Sequence, residues 1–233
     1  MSYIPDLVDD FLSLLFPRLC YGCGGELLRN ERLICTGCRV LMPRTGYHLV
    51  RNNPVEQLFW GRCRIEKAAA FSFYNRDSRI RNLIHNLKYR GIREIGFALG
   101  ELYGFALEGS DFLLGIDIIV PVPLHPSKER IRGFNQSCLI SAGLSKATGI
   151  PVNMKVLERK SETETQTRRS RYDRWMNVEG VFEAAAGADI SGMHLLLIDD
   201  VITTGSTIES CVNALSACDD VRVSVLSLAV AVE

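Results

Sequence analysis

The sequence predicts an α/β protein in which a parallel sheet is flanked by helices, with a small cysteine-rich subdomain at the N-terminus. From about residue 115, short apolar runs alternate with stretches of helical periodicity, as in successive βαβ units. Residues 195–198 are four consecutive apolar residues, which is typical of a strand buried on both faces. The cysteine-rich stretch near residues 20–38 lies outside this alternation.

A strand is expected at 66–74, where small and aromatic residues follow one another, and the next helix is expected to begin after Asp77. In that helix, Ile80, Leu83, Ile84 and Leu87 have the spacing of one apolar face. The other elements follow from the same apolar patterns: helices at 93–108, 135–148 and 205–217, and strands at 117–122, 154–157, 195–198 and 221–232.

Two domains are predicted. Residues 1–60 are expected to form a short amphipathic helix followed by a zinc-ribbon-like subdomain, and residues 61–233 the α/β domain. The first fifteen residues lack the basic start of a signal peptide, because three aspartates lie among them, and no stretch approaches the roughly 20 apolar residues of a membrane span. We therefore expect a soluble, cytoplasmic protein.

Composition excludes several classes of protein. Of 233 residues, 47% are hydrophobic, which is ample for a packed core and excludes a disordered chain. Lys and Arg number 27, as do Asp and Glu, so bulk electrostatic coating of nucleic acid is disfavoured. Eight cysteines are too few for a disulfide scaffold of this length, and in a reducing compartment spaced cysteines favour metal binding.

The four N-terminal cysteines have the spacing of a metal site. Cys20 and Cys23 form one Cys-x-x-Cys pair, and Cys35 and Cys38 form a second, eleven residues later. Two such turns can supply the four thiolates of a tetrahedral, closed and therefore structural Zn²⁺ site. The alternative is a pair of redox-active dithiols. Elsewhere, Cys211 lies on the apolar face of a predicted helix and is interpreted as a core residue.

A carboxylate pair followed by a polar loop is the most informative motif. Asp199 and Asp200 follow the apolar run 195–198, and Thr203, Thr204, Gly205, Ser206 and Thr207 lead into a predicted helix. Ligands of α/β sheets bind at the carboxyl ends of strands, and a helix N-terminus favours an anion. The pattern suits a sugar phosphate, with hydroxyls bound by the carboxylates and phosphate by the loop. The alternative is a strand that ends in ordinary solvated acids.

Basic residues occur in three further stretches. Lys88 precedes a Tyr-Arg-Gly sequence and is the better candidate for a phosphate contact in its cluster, whereas Arg81 is interpreted as solvated. Lys128, Arg130 and Arg132 follow the strand predicted at 117–122 and could bind phosphate or form a solvated basic turn. Residues 155–174 are polar and basic without a clear period, which predicts a long mobile loop.

The segment LLLIDDVITTGST, residues 195–207, resembles the PRPP-binding signature of type I phosphoribosyltransferases. Together with the paired cysteines, the chain resembles the ComF family over nearly its whole length. Further support comes from residues 85–91, 120–136 and 163–182. The resemblance implies a type I phosphoribosyltransferase-like sheet, binding of Mg²⁺·PRPP, a structural zinc ion, and a link to natural competence and DNA uptake. It also implies that residues 155–174 form a hood over PRPP.

The resemblance also assigns roles to residues. Residues Thr203–Thr207 would bind the 5′-phosphate, and Asp199 and Asp200 the ribose hydroxyls while stabilising positive charge on the ring. Val122 and Pro123, in the loop that begins at Pro121, would bind pyrophosphate together with Lys88. The acceptor, a base or an amine, is not identified. The alternative is a non-catalytic module that senses nucleotides and docks onto DNA-uptake or recombination proteins or single-stranded DNA.

Overall fold

A computed structural model of the chain describes residues 16–76, 78–160 and 181–231. The expected N-terminal helix, Asp77 and residues 161–174 of the expected loop lie outside these ranges. Among the helices of the described residues, none combines the length with the apolar character that crossing a membrane requires.

Four parallel strands form the central sheet, as the sequence predicts. They are β1 (Ala68–Tyr74), β2 (Ile118–Pro121), β5 (His194–Ile202) and β6 (Arg222–Ala231), in the spatial order β1-β6-β5-β2. Two short strands, β3 (Leu157–Arg159) and β4 (Phe182–Ala184), form a separate antiparallel pair. β5 lies between β2 and β6 in the sheet, so both of its edges are paired.

Helices cover both faces of this sheet. In chain order the described helices are α1 (Thr36–Val40), α2 (Pro54–Gln57), α3 (Arg79–Arg90), α4 (Arg93–Leu107), α5 (Pro126–Arg132), α6 (Gln136–Thr148) and α7 (Ser206–Leu215). Leu196 and Ile198 of β5 pack in one apolar cluster with α3, α4 and α6. Leu195 and Leu197 pack in the opposite cluster with α7. The predicted two-sided burial of this strand is therefore confirmed.

Three sequence-based expectations about the elements are wrong. Strand β5 does not end before the acids but continues to Ile202, because Asp199, Val201 and Ile202 still pair with β6. Residues 154–157 are not a strand of the main sheet: a turn precedes β3, which begins at Leu157 and pairs with β4. The residue that caps α3 is Ser78 rather than Asp77, since its side-chain oxygen accepts a hydrogen bond from the Arg81 N–H at 3.3 Å.

Helix α5 replaces what the sequence pattern describes as a basic turn. His125 is its N-cap and accepts a hydrogen bond from the Ser127 N–H at 3.2 Å, while Pro126 occupies the first helical position. Proline suits that position because its fixed φ is helical and its missing N–H needs no partner there. His125 thus has a structural role as the N-cap of α5.

The cysteine-bearing segment packs on α3. The side-chain amide of Asn82 donates to the carbonyl oxygen of Gly22 at 2.8 Å, and that of Asn86 donates to the carbonyl oxygen of Tyr21 at 3.0 Å. Cys20 and Cys38 are buried in the same apolar cluster as α3 and α4. The position of α3 is therefore tied to the cysteine-bearing segment, while the division at residue 60 stays a prediction.

Two glycines allow α4 and α6 to cross at close range. A β-carbon on Gly100 would lie 2.1 Å from the carbonyl oxygen of Ile140, and one on Gly143 would lie 2.0 Å from the carbonyl oxygen of Phe97. Backbone atoms cannot rotate away from such a contact, so only glycine permits this crossing. The crossing places the N-terminus of α6 beside the carboxyl ends of β2 and β5.

We predict that Gly143→Ala lowers the free energy of unfolding by about 1–3 kcal/mol, the usual cost of overpacking. Helix propensity alone would change it by about 1 kcal/mol in the opposite direction. Urea denaturation measures the difference. Gly37→Ala in α1 is the control, because its added carbon would lie 3.8 Å from the nearest side-chain atom. An unchanged or higher stability of Gly143→Ala would contradict the close crossing.

Candidate functional site

The carboxyl ends of β2 and β5 meet at one edge of the sheet. Pro121 pairs with Ile198, and the N–H of Val122 donates to the carbonyl oxygen of Ile198 at 2.9 Å. Val122 therefore leaves the sheet beside Asp199, and the half-buried Pro123 follows it. The register brings together two segments that are more than 70 residues apart in the sequence.

Asp199 and Asp200 lie near the carboxyl end of β5, two residues before the strand ends at Ile202. The Asp200 N–H donates to Asp199 Oδ1 at 2.8 Å, and the hydroxyl of Ser137 donates to the same oxygen at 3.4 Å. Burial, together with the negative charge of Asp200, raises the pKa of Asp199 to about 7. A carboxyl group with this pKa holds its proton far more readily than an exposed aspartate.

Lys88 neutralises the second carboxylate. Its Nζ lies 2.8 Å from Asp200 Oδ1, and both side chains are largely withdrawn from water. Lys88 stands in the last turn of α3, which Gly91 ends in the left-handed conformation at φ 69°. The structure therefore brings the candidate phosphate-binding lysine to the carboxylate pair, although the sequence interpretation directs it toward pyrophosphate.

The loop between β5 and α7 is compact and polar. Residues 201–208, with Asp199, line a small cavity of about 30 Å³. The hydroxyls of Thr204 and Ser206 lie 3.0 Å apart. Gly205 adopts φ 77°, and a β-carbon there would lie 2.9 Å from the ring of Phe59, so this position requires glycine on two counts. Thr203–Thr207 thus form one concave turn at the start of α7.

Arg62 supports this loop and was not singled out by the sequence. Its guanidinium donates to the carbonyl oxygens of Thr204 at 2.7 Å and Leu58 at 3.0 Å, and it also pairs with Glu209 of α7. With Phe59, it anchors the polar loop to the segment after α2. No local pattern marks Arg62, because its partners in the polar loop and α7, Thr204 and Glu209, lie 142 and 147 residues away.

Asn135 links the loop after β2 to α6. Its amide donates to the carbonyl oxygen of Val122 at 3.0 Å, and its Oδ1 accepts a hydrogen bond from the Ser137 N–H at 3.0 Å. The next residue, Gln136, is buried, and its Nε2 has no hydrogen-bond partner within the described parts of the chain. The N-terminal end of α6 therefore fixes the loop after β2, and the amide group of Gln136 is a further hydrogen-bond donor beside Ser137.

The four N-terminal cysteines converge on one point. The sulfurs of Cys20 and Cys38 are 3.6 Å apart, those of Cys23 and Cys35 are 3.8 Å apart, and all four lie within 4.8 Å of one another. Four thiolates at 2.3 Å from a tetrahedral ion would be separated by about 3.8 Å, whereas a disulfide requires about 2.05 Å. The four cysteines therefore cluster where a metal ion could bind.

Backbone N–H groups point at these sulfurs. Cys20 Sγ accepts hydrogen bonds from the N–H groups of Gly22 and Cys35 at 3.4 and 3.3 Å, and Cys23 Sγ accepts one from Gly25 at 3.4 Å. Burial raises the pKa of the Cys20 thiol, but the backbone donors outweigh it and lower the pKa to about 7. Such donors favour thiolates, the form that coordinates a metal. Cys211, by contrast, is fully buried in the core, as its helical position predicts.

The fold and these two sites define a class: a parallel α/β protein with a carboxylate pair and a polar loop at the strand ends, joined to a four-cysteine cluster. No family model matches the chain. The DNA utilization protein YhgH of Salmonella typhi is 31% identical over 209 residues, which cover 84% of this chain and 89% of that protein. The chain thus belongs to the ComF family, which the resemblance of its motifs indicates.

Two further relatives carry competence names. Competence protein F of Haemophilus influenzae is 28% identical over 200 residues, covering 81% of this chain and 86% of that protein. Competence protein ComFC of Bacillus subtilis is 27% identical over 217 residues, covering 89% and 82%.

Solved structures that match the chain include phosphoribosyltransferases. The glutamine PRPP amidotransferase of B. subtilis, complexed with ADP and GMP, matches at 23% identity with a TM-score of 0.39; the match covers 56% of this chain and 26% of that one. Adenine phosphoribosyltransferase of Leishmania tarentolae matches at 13% identity with a TM-score of 0.38, covering 81% and 94%.

We predict that Asp199→Asn stabilises the protein at pH 8 and not at pH 4. A carboxyl group whose pKa is raised in the folded state adds stability at low pH and loses it as the pH rises through about 7. The amide escapes this loss, so its free energy of unfolding at pH 8 should exceed that of the wild type by about 1 kcal/mol or more. Urea denaturation between pH 4 and 8 measures the difference.

The exposed Asp219 supplies the control for this experiment. Asp219→Asn should leave the pH profile of stability unchanged, since among the described residues Asp219 takes part in hydrogen bonds through its backbone carbonyl and its side chain is exposed. If Asp199→Asn differs from the wild type equally at pH 4 and pH 8, the raised pKa of Asp199 is wrong.

Proposed function

We propose that the chain binds Mg²⁺·PRPP at the carboxyl ends of β2 and β5 and transfers its phosphoribosyl group to a base or an amine, releasing pyrophosphate. The observation that carries this proposal is the meeting of the carboxylate pair, the polar loop, Val122 and Lys88 at one sheet edge. We also propose that this activity serves DNA uptake or use and that it takes place in the cytoplasm; the relatives' names, which refer to competence and DNA utilization, support the first of these proposals.

The polar loop would bind the 5′-phosphate. Thr203, Thr204, Ser206 and Thr207 offer hydroxyls, and the first N–H groups of α7 are free of helical partners. Gly205 has no side chain, so a phosphate group could approach its backbone closely. Arg62 acts as a positioning residue, because its guanidinium group binds the carbonyl oxygen of Thr204 and the side chain of Glu209 and so links the polar loop to α7.

The carboxylate pair would bind the ribose. Asp199 and Asp200 can accept hydrogen bonds from the 2′- and 3′-hydroxyls, and their charge can stabilise the positive ribose ring formed as pyrophosphate departs. For this role Asp200 must exchange its contact with Lys88 for contacts with the sugar. The freed ammonium group of Lys88 is then available to the pyrophosphate.

Pyrophosphate would lie beside Val122 and Pro123, whose loop Asn135 holds in place. Mg²⁺ bound to PRPP would neutralise charge on the oxygens of the substrate, since hard cations prefer oxygen ligands. In the reaction, the nitrogen of the acceptor would form a bond to the anomeric carbon and release its proton to solvent, and the bond from that carbon to the pyrophosphate oxygen would break. Pyrophosphate leaves with the electron pair.

We predict that Mg²⁺·PRPP raises the melting temperature of the protein and that Asp200→Asn abolishes turnover. A ligand that binds only the folded state at 100 times its Kd adds about 2.7 kcal/mol of stability. Thermal shift with PRPP and ribose 5-phosphate tests binding, and pyrophosphate release with a panel of bases and amines tests the reaction. Asp219→Asn should match the wild type in both assays.

The result also separates the two candidate functions. PRPP binding without pyrophosphate release for any acceptor would favour the non-catalytic module, which senses nucleotides and docks onto DNA-uptake proteins, recombination proteins or single-stranded DNA. If PRPP, ribose 5-phosphate and nucleoside monophosphates all fail to stabilise the protein, the proposed PRPP site at the carboxyl ends of β2 and β5 is wrong.

We further propose that the cysteine cluster holds a structural Zn²⁺ ion in a subdomain formed by residues 1–60. Four sulfur ligands close the tetrahedron, so no position remains for water or substrate. The ion would act by fixing the segment whose carbonyl groups at Tyr21 and Gly22 receive hydrogen bonds from α3. Through α3 it would also fix Lys88.

We predict one zinc ion per chain, measured by elemental analysis of the purified protein. Cys35→Ser should lower the zinc content to well under one and reduce the melting temperature, because a ligand to the ion is lost. Cys218→Ser, outside the cluster, is the matched control and should retain full zinc. Less than half an equivalent of zinc in the wild-type protein, with the four thiols reduced, would overturn the assignment.

A further inference from the structure

A basic recess lies between the C-terminal end of α3 and α5, next to the candidate PRPP site. Its volume is about 550 Å³, and its lining residues are Lys88, Tyr89, Arg90, Gly91, Lys128, Ile131 and Arg132. Pockets of this volume accommodate ligands the size of a nucleotide. Apart from Lys88, the PRPP-binding proposal leaves these residues without a role.

The charge of the recess is one-sided. Four of its lining residues are cationic and none is acidic. Lys88 pairs with Asp200, but within the described parts of the chain Arg90, Lys128 and Arg132 form no ion pair. Cations that converge without a counter-charge repel one another, so a ligand with at least two negative charges would stabilise them. Guanidinium groups are especially suited to phosphate.

The recess also offers a planar surface. The guanidinium carbon of Arg132 lies 5.6 Å from the centre of the Tyr89 ring, and Tyr89 is 68% exposed. Ile131 beside them is 85% exposed, so an apolar side chain also faces the recess. Purine and pyrimidine rings stack on aromatic rings and on arginine planes, where they cover exposed apolar surface.

We propose that the basic recess is a second ligand site that binds a nucleoside phosphate beside the PRPP site. The phosphates would contact Arg90, Lys128 and Arg132, and the base would pack on Tyr89, Arg132 and Ile131. A nucleoside diphosphate suits the recess better than inorganic phosphate, which cannot use the planar surface, or an uncharged nucleoside, which cannot use the cations.

Lys88 joins the two sites. It lines the recess and pairs with Asp200, so an anion in the recess and the carboxylate pair share one ammonium group. Because Lys88 belongs to both sites, its substitution cannot tell them apart. Lys128 and Arg132 line the recess, and neither contacts the carboxylate pair or the polar loop, so these two residues are the ones to change.

The test is a calorimetric titration of ADP into the full chain, with and without saturating Mg²⁺·PRPP. We expect one ADP per chain in both conditions, and binding about tenfold weaker or more in the double variant Lys128→Gln/Arg132→Gln, because two charged phosphate contacts are lost. Arg81→Gln is the matched control: it removes an exposed arginine of α3 outside the recess and should leave ADP affinity within about twofold. Thermal unfolding verifies that each variant is folded.

Several outcomes would overturn the proposal. One is ADP binding that the double variant does not weaken; another is ADP binding that saturating PRPP abolishes, since the nucleotide would then occupy the PRPP site. A third is binding of a ten-nucleotide single-stranded DNA, but not ADP, through Lys128 and Arg132. The second-site assignment does not require turnover or PRPP affinity: if PRPP fails to bind, the proposed function falls while the ADP titration still decides the recess.

Discussion

The arrangement of the molecule depends on compensating two adjacent carboxylates at the end of a buried strand. Negative charge at buried or half-buried positions is costly unless it is paired or protonated. Asp200 is paired with Lys88, and Asp199 has a raised pKa and accepts hydrogen bonds from Ser137 and from the backbone of Asp200. Lys88 lies on α3 and Ser137 on α6, so the positions of these two helices influence the state of the site.

Because Lys88 lies on α3, the cysteine-bearing segment that packs on α3 helps to position the carboxylate site. The cysteine-bearing segment receives hydrogen bonds from Asn82 and Asn86, on the same helix as Lys88. On the other side, the α4–α6 crossing sets where Asn135 and Ser137 meet the strand ends. The polar loop has a third support, Arg62 and Phe59, from the segment after α2. Three separate parts of the chain therefore hold one sheet edge in place.

The cationic residues near this sheet edge form two groups. Lys88 faces the carboxylate pair, whereas Lys128 and Arg132 on α5 face the recess beside it. A net charge of zero is compatible with the proposed anionic ligands, because the cations that line the recess have no acidic residue among the other lining residues. With both proposed sites occupied by anions, the lysine that they share would offer a route for reciprocal coupling of their ligands.

The sequence by itself determined the parallel α/β fold, the cysteine pairs and the acidic motif, because all of these are written in local patterns: apolar runs, Cys-x-x-Cys spacing and a strand followed by a polar loop. It did not show that β5 continues through the acids, since that extension depends on pairing with β6. Only the tertiary structure paired Lys88 with Asp200, placed Arg62 on the Thr204 carbonyl and folded 126–132 into the helix that forms the recess. These contacts join residues up to about 140 positions apart, a range at which no periodicity or spacing carries information.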